Sequence, residues 1–104
     1  MSVESVLLGK REALAELCRA YSVQRLELFG SATGESFDPD KSDLDFLVTF
    51  EPCTASQHYE RYFGFLESVE SFFGRPVGLV EAAAMRNPYF IRQVNESRRL
   101  LYAA

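Results

Sequence analysis

The chain has 104 residues, 47% apolar and 25% charged, the composition of one ordinary globular domain over residues 1–104 rather than of a disordered chain. Fifteen acidic side chains against eleven basic ones leave a formal charge of −4. That balance argues against direct nucleic-acid binding, which needs a basic patch to displace counterions.

Residues 3–21 read as a helix, because Val6, Leu7, Leu14, Leu17, Cys18 and Tyr21 recur at three- and four-residue spacing. Residues 23–29 alternate in polarity and predict a strand. Residues 30–43 are rich in Gly, Ser, Asp and Pro and read as turns. The dense apolar run of residues 44–50 suits a central strand covered on both faces. Thr54 and Gln57 have the spacing of a capping box. The helix it opens runs to about residue 73, with Tyr59, Tyr62, Phe63, Leu66, Val69 and Phe73 expected in the core and Phe65 and Phe72 off that stripe. A short strand follows at 77–81, then a helical turn at 82–85. Asn87 and Pro88 form an N-cap and first helical position. The last helix is expected to reach about residue 102, with Glu96, Ser97, Arg98 and Arg99 as a solvated face. This order predicts an α/β (α+β) fold, a small mixed sheet of three or four strands with covering helices.

Two features carry chemistry. Gly30 and Ser31 directly follow the first strand, where a glycine lets the backbone turn sharply and approach a ligand. If a helix starts at Ser31, its N–H groups and hydroxyl form an anion site. The second feature is Asp43 and Asp45, which share one face of a strand while Leu44 and Phe46 take the other. Two adjacent carboxylates repel unless a cation lies between them, or unless both sit at the solvent-exposed mouth of the strand as end caps. Oxygen-only ligands suit a hard ion, Mg²⁺ or Mn²⁺. A phosphate loop and a metal pair at one sheet edge fit a nucleoside triphosphate and in-line nucleotidyl transfer. The acidic run from Asp38 to Asp43 is not an EF-hand, since the glycine and glutamate positions hold Asp43 and Thr49.

Phe29-Gly30-Ser31-Ala32-Thr33-Gly34, Phe37-Asp38-Pro39-Asp40 and Ser42-Asp43-Leu44-Asp45-Phe46-Leu47-Val48 resemble the minimal nucleotidyltransferases (MNT proteins) of the DNA polymerase β-like superfamily. Phe73-Gly74-Arg75-Pro76-Val77 and Arg86-Asn87-Pro88-Tyr89 are similar to that family's third strand and final helix. The resemblance implies ATP as substrate, with Gly30 and Ser31 binding the nucleotide. Asp43 and Asp45 would act as metal-binding catalytic residues. It also implies a helical partner, typically a HEPN-domain toxin, with the MNT chain as antitoxin transferring AMP to a partner hydroxyl. One departure is marked. The family's third carboxylate lies in a Val-Asp-Leu-Val context, and here that stretch is Val77-Gly78-Leu79-Val80. Glu81 is the nearest acid, and on a regular strand it faces the other way. Members also often carry an arginine before the glycine of the phosphate loop, where Thr33-Gly34-Glu35 here holds no basic residue. The alternative is therefore a catalytically degenerate antitoxin or binding subunit acting by contact. A small-molecule transferase would need a second domain.

The remaining features read as structure. Cys18 and Cys53 suit free thiols in a reducing cytoplasm. His58 is expected to be a helix-end surface residue. No uncharged run approaches the ~20 residues of a membrane span, and no signal-peptide pattern opens the chain. Nine Phe and five Tyr are many for this length, so a partner or an oligomer has apolar area to cover.

Overall fold

The computed structural model describes Leu7, residues 9–30 and residues 44–104. The first 3–8 stretch of the expected opening helix (Leu7 apart), the turn-rich segment with Ser31, and Asp43 all lie outside the described residues.

The described helix α1 spans Arg11–Ala20. The expected continuous helix is broken before it, because Gly9 adopts φ +74°, a conformation open to a residue without Cβ. The Lys10 N–H donates to the Leu7 carbonyl at 2.9 Å. Leu7 and Leu14 are nonetheless both buried, so the apolar spacing alone hides the break.

Strand β1 (Val23–Phe29) pairs antiparallel with β2 (Leu44–Phe50), and β2 pairs parallel with β3 (Val77–Glu81). Between β2 and β3 runs α2 (Ala55–Phe73), opened by the expected capping box: Thr54 Oγ1 accepts from Gln57 N–H, and Gln57 Oε1 accepts from Thr54 N–H. A 3₁₀ turn (Ala82–Ala84) leads to α3 (Pro88–Ser97), whose Asn87 N-cap accepts from the Tyr89 and Phe90 N–H groups.

Helix α3 is shorter than expected. Residues Arg99–Ala103 form a fourth strand, β4, antiparallel to β1, and complete a sheet of order β3-β2-β1-β4. Arg98 leaves the helix with φ −64° and ψ 140°. No Gly or Pro marks this stop, and a short apolar run such as Leu100–Leu101 fits helix or strand equally by periodicity. Pairing with β1 decides it, with Tyr102 opposite Leu26.

Strand alternation divides the sheet into two faces. Leu26, Leu28, Leu44, Phe46, Val48, Val77 and Leu79 pack with Leu14 and Cys18 of α1 and with Phe65, Val69 and Phe73 of α2. The opposite face is thinner: Phe29 and Leu47 meet Val94 of α3, flanked by Val80, Met85 and Phe90. The expected stripe on α2 is partly inverted. Phe65 is fully buried, while Tyr59 and Phe63 are exposed and stack on each other at 4.7 Å. Aromatic side chains all round the helix blurred its face, and the 3.6-residue turn through Phe65, Val69 and Phe73 sets it. Both cysteines are free; Cys18 is buried, and that burial pushes its thiol up to about 12.

Candidate active site

Strand β1 delivers Gly30 to the sheet edge, where it adopts φ +79°. Asp45 is the second residue of β2, opposite Phe29 on one side and Gly78 on the other. It lies on the thin face with Leu47, while Leu44 and Phe46 point into the larger core, the alternation expected of that strand.

The Asp45 carboxylate is set between two glycines. A Cβ at Gly30 would lie 3.1 Å from its Oδ2, and a Cβ at Gly78 would lie 2.5 Å from its Oδ1. Any side chain at 78 would therefore force the carboxylate to swing away. The absent third carboxylate is thus matched by a neighbour that occupies the room its Cβ would take.

Glu81 does not fill the gap. The β2–β3 register runs evenly from Leu44 opposite Val77 to Val48 opposite Glu81, with no bulge to turn it round. Its carboxylate pairs instead with His58 Nε2 at 2.7 Å, and the His58 ring meets Phe50 edge-on. Among the described residues, no three of His, Cys, Asp and Glu cluster as metal ligands. The described member of the aspartate pair fits a hard divalent ion in donor chemistry, since it presents carboxylate oxygens where both neighbouring positions lack side chains.

Two contributions to the site were missed at the sequence level. Ser97, read as part of a solvated face, accepts the Gly30 N–H on its Oγ at 3.0 Å and donates to the Gln93 carbonyl at 3.2 Å. Arg98, from the same run, turns inward. Its Nε and Nη2 reach Glu27 Oε2 and Oε1 at 2.6 and 2.7 Å, and Arg25 Nε adds a third contact at 2.7 Å. Glu27 is only 3% exposed, and the Arg98 hydrogen bonds lead in holding its carboxyl down to about 2 against the opposing effect of burial. The signal available was the parity of β1, which places Glu27 on the same face as Phe29. An acid there demands a cation from elsewhere in the chain.

The chain resembles known proteins. A protein of Methanocaldococcus jannaschii named "Putative protein adenylyltransferase MJ1379" is 31% identical over 77 residues, 73% of this chain and 74% of that protein. A solved "putative minimal nucleotidyltransferase" is 31% identical with a TM-score of 0.67, covering 95% of each chain. The fold also matches a solved complex of a tri-AMPylated Shewanella oneidensis HEPN toxin with its MNT antitoxin. There the TM-score is 0.58 and the identity 18%, over 90% of this chain and 70% of that one. Residues 10–101 match the family model described as "Nucleotidyltransferase domain". With that match and a four-stranded sheet of order β3-β2-β1-β4, this chain belongs to the nucleotidyltransferase-domain family and has its minimal fold.

Proposed function

We propose that this chain binds Mg–ATP at the mouth between β1 and β2 and transfers AMP to a hydroxyl of a separate HEPN-type helical protein, as its antitoxin. The observation that carries the reading is the Asp45 carboxylate seated between Gly30 and Gly78 at the strand ends. The names of the relatives support it: an adenylyltransferase in one case, an AMPylated toxin with its MNT antitoxin in another.

In this reading Asp43 and Asp45 hold the divalent ion, and Gly30 and Ser31 form the phosphate-binding turn. Mn²⁺ would serve the same oxygen ligands. When bound, the ion neutralises charge on the phosphates and on the departing pyrophosphate. Gly30 contributes its backbone shape, which lets the chain pass close to the Asp45 carboxylate. The acceptor oxygen forms a bond to the α-phosphorus, and the bond from that phosphorus to the bridging oxygen breaks. Pyrophosphate leaves with the electron pair, and the hydroxyl proton passes to a base. Neither Gly78 nor Glu81 supplies that base from β3. In this reading the helical partner supplies the acceptor side of the cleft, in a cytoplasmic two-protein system.

A second reading is favoured by Gly78. The fold is kept, the third carboxylate is gone, and the chain neutralises its partner by contact alone. Incubation of the chain with its HEPN partner, Mg²⁺ and ATP labelled at the α-phosphate separates the two. The leading reading expects label on the partner from the native sequence. The contact reading expects a tight complex without label, and label gained only with Gly78→Asp, once the Asp45 carboxylate has swung aside.

A further inference from the structure

The end of α3 reaches the candidate site through one hydroxyl. Ser97 is the last residue of α3 and lies 67 residues from Gly30 in sequence, yet its Oγ accepts the Gly30 N–H at 3.0 Å. The same hydroxyl donates to the Gln93 carbonyl at 3.2 Å. A hydroxyl can accept from an N–H and donate to a carbonyl at once, which an alanine or a lysine at this position could not do. The next residue fixes where that hydroxyl stands. The Arg98 N–H closes the helix on the Val94 carbonyl at 2.8 Å, its Nη1 reaches Asn95 Oδ1 at 2.7 Å, and its guanidinium forks onto Glu27 of β1. Glu27 in turn stands on the strand that leads into Gly30. The clamp is therefore closed on itself: Arg98 seats the end of α3 on β1, and Ser97, one residue earlier, grips the residue where β1 ends.

Resting on the nucleotide reading of this site, we propose that Ser97 is a positioning residue for nucleotide binding. By holding the Gly30 N–H it fixes the Gly30 backbone beside the Asp45 carboxylate. Glycine at φ +79° has many other conformations within reach, and the hydrogen bond selects one of them before nucleotide arrives. Ser97 acts through Gly30 and not on the nucleotide, so its loss should weaken binding while leaving both cores intact.

The test uses the ¹⁵N-labelled full chain and Mg–ATP as the probe. In the native protein and in Ser97→Thr, the Gly30 amide is expected to exchange slowly with solvent. In Ser97→Ala it exchanges fast, while the amides of α1 and of the α2 segment around Phe65 stay protected. Mg–ATP affinity is expected to fall roughly five- to tenfold in Ser97→Ala, as one lost hydrogen bond dictates. It stays near native in Ser97→Thr, a rescue that a general loss of stability would not produce. A native chain that binds Mg–ATP, with Ser97→Ala binding it equally well, overturns the inference alone. A native chain that binds no Mg–ATP overturns the nucleotide reading and this inference with it, even if the Gly30 amide is protected.

Discussion

Asp45→Asn is expected to lower AMP transfer to the partner by on the order of 10²- to 10³-fold, the scale of removing one charged group from a phosphoryl-transfer site. Asparagine keeps the shape that fits between Gly30 and Gly78, so packing around the position is preserved. What it loses is the negative charge, and an amide oxygen is a poor substitute for a carboxylate on a hard divalent ion. The effect should appear at saturating ATP as well as in kcat/KM, because a divalent ion held there would stabilise charge that grows in the transition state. Steady-state kinetics on the purified complex, with melting temperature as the control for folding, measures it. A variant that transfers at the native rate would remove Asp45 from the chemistry.

Glu27→Ala is expected to destabilise the fold by about 3 kcal/mol. Moving its carboxyl from an ordinary 4.5 to about 2 corresponds to about that much at neutral pH. Breaking a buried ion pair typically costs ~3–5 kcal/mol. Arg25 and Arg98 are 49% and 37% exposed and can rehydrate, which holds the cost near the lower bound. For a domain of this size the melting temperature should fall by roughly 10–20 °C. The sign of the pH dependence follows. The folded-state carboxyl titrates below the unfolded one, so its contribution is complete above about pH 4.5. It is lost as pH falls from there through about 2. Urea unfolding at neutral pH and at steps down to acid should show the native chain losing this increment over that window. Glu27→Gln should lack this component of the pH dependence. Equal acid sensitivity in both would assign the loss to other carboxylates.

The parts of this molecule that were legible in the sequence are those governed by neighbours along the chain. Strands β1, β2 and β3 follow from alternation and apolar runs. The Thr54–Gln57 box and the Asn87–Pro88 start are local hydrogen-bonding signals, and the glycine and aspartate positions of the site are read as a spaced motif. What escaped was set by distant partners. Leu100 and Leu101 carry no signal of their own, and only the free edge of β1 makes them a strand. Phe65 is core and Phe63 surface because of where α2 crosses the sheet, a choice that a helix aromatic on every side does not announce. Ser97 and Arg98 read as a solvated run because their partners, Gly30 and Glu27, lie about 70 residues earlier. Gly78 shows the reverse case. The sequence revealed a missing carboxylate, while only the structure shows that Asp45 fills the room its Cβ would need.

The most direct measurement is a titration of the full native chain with ATP, with and without Mg²⁺, followed residue by residue through its backbone amides. Binding is expected to require Mg²⁺, with the largest shifts at Gly30, Asp45 and Gly78. Binding that ignores Mg²⁺, or shifts that gather elsewhere with these three unmoved, would contradict the Mg–ATP reading of the site.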